Sequence, residues 1–400
     1  MIRDLRRVLV PFVVTRLGLL AAGLMAVYLL SSGLTLQKGN LVRHAPGPAA
    51  LEIWARWDAE WYLLIAESGY GDDDAFLGRG VAYRRGDDTG FFPLYPLLIR
   101  AVALTGLPLL AAGVLVSNLA LLLGLAGLRG LVARDHGDTA ADRTVWILLA
   151  FPSSFFLSAV YAESLMLATL VGAVRLARDG RPFAAGLAAA LCALAKPTGI
   201  LAILPVAWEI GAGAALHGGA VHGTAAAGPA TERGGRRRFG RWGGLALALA
   251  PTAAAMGCWM GWCHAVYGRV APFLERQERW RGPTGGPWRA FVRYFERPEV
   301  HGAHHSTLDF ACAVIFVLLI PWMWRRLRKG EALWASAAIL LPLGSTLWSF
   351  TRFAASIYPA FALAGLWSGR SERRFAALLG GMLPLGGFLM ALYAAWWWAG

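Results

Sequence analysis

Long apolar runs alternate with short turns rich in arginine along most of the chain. The runs fall near 8–31, 109–131, 144–160, 163–178, 183–196, 199–216, 242–266, 306–324, 332–350, 353–368 and 375–398. A run of about 20 residues crosses a hydrocarbon core as a helix. Lipid admits only elements that satisfy all their own backbone groups, and helices do so. The pattern predicts an all-α polytopic membrane protein, a bundle of about eleven transmembrane helices.

One stretch, 91–107 (FFPLYPLLIRAVALTGL), fits either a span or a helix lying at the interface. Charge separates the two. If it does not span, the arginines of the other basic turns share the side of Arg3, Arg6 and Arg7. Those turns hold Arg129, Arg134 and Arg143; Arg175, Arg178 and Arg181; and the segments RGGRRRFGR, WRRLRK and GRSERR. Lys and Arg favour short cytoplasmic loops, so the interfacial reading is preferred. The N-terminus then lies inside and the C-terminus outside. Loops 32–108 and 267–305 face out, and 217–241 is a flexible Gly/Ala/Arg-rich cytoplasmic linker. Neither a short repeat nor a pair of inverted halves is evident.

Composition agrees: 57% of residues are hydrophobic and 16% charged. The 38 basic and 24 acidic residues give a net charge of +14. In a soluble protein that excess would suggest nucleic acid. Here the arginines close apolar runs, so membrane sorting accounts for them and no nucleic-acid partner is expected. Cys192, Cys258, Cys263 and Cys312 lie inside apolar runs without metal or disulfide spacing and read as small hydrophobes. The basic start and apolar core of residues 1–30 imitate a signal peptide, but the core is too long and no cleavage pattern follows.

Under this topology the unusual polar residues gather on the outer side. RWDAEWYLLIAESGY (56–70) lies in the first outer loop. On a helix, Trp54, Trp57, Trp61, Leu64 and Ile65 make one apolar stripe, which predicts a helix lying flat with its indoles among headgroups. Asp58 flanks the stripe. It reads either as a helix cap or solvated acid, or as a general base at the lipid–water boundary. Tyr161 and Glu163 fall at the next outer turn, Lys196 at the one after, and Arg352 at the last. Ionisable groups at span ends are expensive and usually pair or serve a site. A snorkelling lysine, a turn-capping glutamate and an interface-anchoring arginine are the plain alternatives. As a set, one base, one further acid and two cations suit a reaction that expels an anionic phosphate. Trp280, with Arg279 and Arg281, is placed at the mouth from the second outer loop. His301, His304 and His305, and Asp72, Asp73 and Asp74, raise the question of a divalent cation. A loop feature and a solvated acidic turn are the preferred readings, and no metal or cofactor is assigned.

In order along the chain, RWDAEWYLLIAESGY, GFFPLYPLLIR, FPSSFFLSAVYAESL, KPTG and TRFAASIYPAF resemble the PIG-V-type mannosyltransferases and their bacterial relatives. These belong to the GT-C superfamily of polytopic glycosyltransferases. The resemblance covers roughly residues 50–360 and rests on the combination. It implies a GT-C-like bundle whose first outer loop carries interfacial helices and the catalytic acid, here Asp58. It implies a polyprenyl-phosphate sugar as donor, mannose being the favoured sugar. Lys196, Arg352 and Arg56 are the expected phosphate-binding residues. Trp57, Tyr62, Phe92, Tyr95, Tyr161, Glu163 and Trp280 are the substrate-binding candidates. Lys196 stands where the family pattern commonly has Arg, which keeps the charge and loses the fork. The chain has only three lysines and much Ala, Gly and Arg, as expected of a high-GC bacterium. The GPI-anchor acceptor of eukaryotic members is therefore not carried over, and the acceptor stays an unspecified glycan, lipid or protein. The expected setting is the plasma membrane with the site on its extracytoplasmic side. A flippase for a lipid-linked sugar and a non-catalytic envelope subunit are the rival readings.

Overall fold

In the computed structural model the described residues are 2–30, 47–77, 83–219, 230–296 and 306–399. Among them the chain forms helices and no strand. In order these are α1 (Ile2–Met25), α2 (Ala49–Glu52), α3 (Ala59–Ser68), α4 (Asp73–Leu77), α5 (Leu94–Ala103) and α6 (Leu109–His136). Next come α7 (Asp138–Ala150), α8 (Glu163–Arg178), α9 (Pro182–Ala195), α10 (Ile203–Gly219), α11 (Ala230–Tyr267) and α12 (Pro272–Arg281). The last are α13 (Arg289–Glu296), α14 (Thr307–Arg326), α15 (Lys329–Leu343), α16 (Phe350–Ala354), α17 (Tyr358–Ser368) and α18 (Glu372–Ala394).

Five helices, α1, α6, α11, α14 and α18, have the length and composition to cross a membrane. Each exposes large apolar side chains, among them Leu17, Leu123, Leu247, Leu318 and Phe388. Such an apolar outer surface fits lipid and not water. Each of the other six expected spans also meets a helix, but most are shorter than their apolar runs. Helices α7, α9, α15 and α17 have 13, 14, 15 and 11 residues, roughly 16–23 Å at 1.5 Å per residue. The apolar runs overstate helix length because buried irregular backbone is apolar too. Pro152 follows the end of α7, and residues 151–162 continue buried outside any α-helix. Their polar backbone is met from within. The Arg16 guanidinium of α1 donates to the carbonyls of Ser154 (2.8 Å) and Leu149 (3.0 Å). Irregular backbone at such depth is tolerated where protein surrounds it.

The ambiguous stretch 91–107 contains only the ten-residue α5, about 15 Å long, too short to cross. The linker expected at 217–241 is helical at both ends, up to Gly219 and from Ala230, and 220–229 lie outside the described residues. The flat interfacial helix is a correction. Helix α3 starts at Ala59, so Trp54 and Trp57 precede it and cannot share its stripe. Trp54, Tyr62, Leu63, Leu64, Ile65 and Ala66 are all buried. Protein therefore packs on more than one face of α3, and headgroups do not.

The bundle has two polar ends. At one, the fully buried Arg129 guanidinium binds Asp4, Asp138 (2.8 Å) and Asp142 (2.7 Å), locking α1, α6 and α7 together. The other end carries the candidate site.

Candidate active site

Asp58 occupies the N-cap position of α3, yet its carboxylate makes no capping hydrogen bond. It turns to Arg352, whose Nη1 donates to Oδ2 at 2.6 Å. The cap reading of Asp58 therefore fails in its physical content. The Arg352 Nε lies 3.5 Å from Glu163 Oε1, and Lys196 Nζ donates to the same oxygen at 2.7 Å. The side chains of Arg352 and Glu163 are buried, while that of Asp58 keeps 23% of its surface exposed.

Backbone strain presents both partners of the central pair. Among the described residues three non-glycine residues have left-handed backbone: Trp57 (φ 59°), Ser349 (φ 65°) and Trp396 (φ 67°). Such a conformation costs an L-residue roughly 1–2 kcal/mol and gathers at functional sites. Trp57 immediately precedes Asp58, and Ser349 is the N-cap of the short α16 that carries Arg352. Trp396 meets the Trp57 ring edge-on at 6.2 Å. The turn holding Arg352 is pinned further. The buried Asp309 accepts from the Thr351 amide (2.7 Å) and hydroxyl (2.6 Å), and the Ser153 hydroxyl donates to the Thr351 carbonyl at 2.8 Å.

The KPTG segment has a steric logic. A Cβ on Gly199 would sit 1.8 Å from the Cys192 carbonyl oxygen, so the chain after Lys196 folds back onto α9 closely enough to require glycine. Gly199→Ala must move backbone, and overpacking of this kind costs about 1–3 kcal/mol or more. Thermal unfolding in detergent is expected to show a clear loss of stability. An unchanged midpoint would show that the fold-back is not held.

Three cations surround one ring. Lys196 Nζ, Arg281 Cζ and Arg352 Cζ lie 4.5, 4.7 and 5.2 Å from the centre of Phe353. Burial lowers the Arg281 guanidinium to about 10, helped by repulsion from Arg352. Burial also opposes the charge on Arg352, but Asp58 and Glu163 outweigh it and hold the group above its ordinary value. Against these three cations stand two carboxylates, Asp58 and Glu163. The cluster has an excess of one positive charge and is suited to a monoanion.

The fold gathers Asp58, Glu163, Lys196, Arg352 and Tyr161, the last with its ring 5.4 Å from the Arg352 guanidinium. Tyr62 stands behind, edge-on to Tyr161 at 6.5 Å. Trp57 walls the site through its contact with Trp398 at 5.7 Å, and Trp398 in turn lies 5.3 Å from Arg352. Four of the expected site residues, Arg56, Tyr95, Phe92 and Trp280, sit apart from the cluster. Arg56 stacks on Trp396 (4.6 Å) and donates to the carbonyls of Ala394 (3.2 Å), Glu52 (2.5 Å) and Ala55 (3.2 Å). Tyr95 is buried against Ser117 (2.6 Å) and the Gly113 carbonyl. Phe92 packs with Trp259 and Phe273. Trp280 lies over Arg276, and Arg279 pairs with Asp87. Asp73 pairs with Arg85 (2.6 Å) and Asp72 accepts from the Ala75 amide (3.1 Å). The three histidines lie outside the described residues. Arg276 and Trp398 carry no signal of their own in the sequence, and Phe353 enters there only as a neighbour of Arg352. The C-terminal tryptophans read as the end of a span, whereas α18 stops at Ala394 and the indoles fold over the site.

Residues 36–209 match the family model described as Mannosyltransferase (PIG-V). Over these residues the chain is PIG-V-like. The match contains Asp58, Tyr161, Glu163 and Lys196, while Arg281 and Arg352 come from beyond it. No curated protein matches the chain. Among solved structures it resembles ArnT from Cupriavidus metallidurans bound to undecaprenyl phosphate, with a TM-score of 0.50 and 18% identity over 91% of this chain and 62% of ArnT. The oligosaccharyltransferase AglB from Archaeoglobus fulgidus, in complex with an inhibitory peptide and a dolichol-phosphate, gives 0.43 and 12% over 96% and 56%. The chain thus spans about three fifths of the length of ArnT. At this identity the ArnT likeness is one of fold alone.

Proposed function

We propose that this PIG-V-like chain is a membrane glycosyltransferase that transfers a sugar, with mannose favoured, from a polyprenyl-phosphate donor to an extracytoplasmic acceptor. The observation that carries the reading is the partly exposed acid Asp58, bonded to Arg352 of a three-cation cluster with one unmatched positive charge. ArnT's bound undecaprenyl phosphate is in keeping with it.

The chemistry follows from that charge balance. The donor is a phosphodiester and carries one negative charge, which the excess cation matches. Arg352 holds one oxygen of Asp58, and the carboxylate's exposure leaves it open to an acceptor hydroxyl. Asp58 takes the hydroxyl proton as the acceptor oxygen bonds to the anomeric carbon. The bond from that carbon to the phosphate oxygen breaks, the phosphate keeps the electron pair, and the configuration inverts. Protonation of Asp58 raises the cluster from +1 to +2 as the departing phosphate gains its second negative charge. The cations stabilise the leaving group most where its charge is greatest, which is the condition for electrostatic catalysis. Glu163 anchors Lys196 and Arg352 between reactions.

Purified protein supplied with labelled polyprenyl-phosphate mannose and a membrane extract is expected to move label onto an acceptor. Movement of intact donor across vesicles without transfer would favour the flippase. A Lys196→Gln variant is expected to raise the donor KM roughly 10–100-fold, from the 1.5–3 kcal/mol of a hydrogen bond to a charged group. An unchanged donor KM would remove Lys196 from the phosphate site.

A further inference from the structure

A second cation beside Asp58 takes no part in the Phe353 cluster. Arg276 of α12 is 1% exposed. Its guanidinium carbon lies 3.7 Å from the ring centre of Trp280 and 4.4 Å from those of Trp61 and Phe91. None of its three nitrogens has a hydrogen-bond partner. Gly90 makes the close approach possible, since a Cβ there would stand 2.6 Å from the Arg276 Cδ.

The ring faces answer the charge but not the five N–H donors of an arginine. Nearby acids are already engaged. Asp88 accepts from the Tyr267 hydroxyl (2.6 Å) and the Gly71 amide (2.8 Å), and Asp58 is bonded to Arg352. Burial pulls Arg276 down to about 9, with Asp58 and Asp88 opposing. A buried guanidinium with unspent donors is costly to keep unless something occupies it part of the time. Trp280, one helical turn on, is 40% exposed and covers the guanidinium. It is the ring whose rotation would uncover those donors.

We propose that Arg276 forms a second oxyanion site, distinct from Lys196, Arg281 and Arg352, which takes a phosphate group when Trp280 swings aside. A planar guanidinium fork matches phosphate oxygens in pairs. The site's rings are Trp61, Phe91 and Trp280, none of which contacts Arg352. Two phosphate sites would then flank Asp58, so both substrates of one reaction could be held by charge.

The test is calorimetric titration of the full chain in detergent with dodecyl phosphate and, separately, inorganic phosphate. The wild type is expected to bind two equivalents and Arg276→Met one. Arg276→Lys, which keeps the charge and most of the stem, is expected to keep two equivalents with one weakened about tenfold, the fork being lost. Lys196→Gln is expected to leave the Arg276-dependent equivalent intact. Binding of dodecyl phosphate alone at that site identifies a lipid-borne group, and binding of both identifies a free or soluble phosphate. If Arg276→Met and Arg276→Lys both titrate like the wild type, Arg276 is only a clamp on the first loop and the proposal falls. Absence of sugar transfer alongside Arg276-dependent binding would instead overturn the transferase reading alone.

Discussion

Replacing Asp58 with asparagine is expected to lower sugar transfer by roughly 10²–10⁴-fold, the usual contribution of a positioned general base. Asparagine preserves size and still accepts a hydrogen bond from Arg352, so the site keeps its shape. What it loses is the ability to take a proton. It also loses the rise in net positive charge that coincides with phosphate departure. Donor binding is expected to survive, because removing one carboxylate makes the Phe353 cluster more positive. The discriminating measurement is transfer from polyprenyl-phosphate mannose alongside donor binding in the same membranes. A variant that transfers like the wild type would remove Asp58 as the base. One that loses both transfer and donor binding would point to a structural role for the ion pair.

Arg352→Met should be the most destabilising single change at the site. It removes the Arg352 hydrogen bond to Asp58 and leaves Glu163 with the Lys196 contact, Arg281 being the other cation that stays at the Phe353 ring. Breaking a buried ion pair from one side costs about 3–5 kcal/mol. The 23% exposure of the Asp58 side chain brings the expected loss toward the lower end of that range. In the double variant Asp58→Asn/Arg352→Met much of the loss should return, since no bonded carboxylate is left unpaired there. Unfolding of the four proteins of this cycle in mixed detergent measures the coupling. Strict additivity would show that the 2.6 Å contact contributes nothing to stability. Arg352→Lys should restore the charge but not the span from Asp58 to Glu163, and an intermediate stability is expected.

The chemistry of the site was legible where one residue type stood at an unfavourable place. Asp58, Glu163, Lys196 and Arg352 each break an apolar context, and the fold joins all four. The supporting parts were not legible, for physical reasons. Arg276 and Arg281 sit in a loop already rich in arginine, and only packing separates the buried Arg276 and the half-buried Arg281, both over aromatic rings, from the surface Arg279. Phe353 is one phenylalanine among 19, and its role comes from three cations arriving on different elements. The flat helix was misread because a period counted across 54–65 assumed continuous helix, while left-handed Trp57 interrupts it. Arg56 drew attention as a cation beside Asp58, but neighbours in sequence diverge at that turn, and its guanidinium goes to the carbonyl of Ala394.

The central pair joins residues 294 positions apart in the chain. At a synthesis rate of about 5–20 residues per second, some 15–60 s separate the appearance of Asp58 from that of Arg352. For that interval α3 and the first loop must persist in the membrane with their acid uncompensated by its final partner. Lys196 arrives midway and finds Glu163, so half of the ion network can close early. The rest waits for α16, and the indoles of Trp396 and Trp398 come later still. A nascent chain stalled before residue 352 would therefore hold Asp58 without the Arg352 guanidinium it meets in the folded protein.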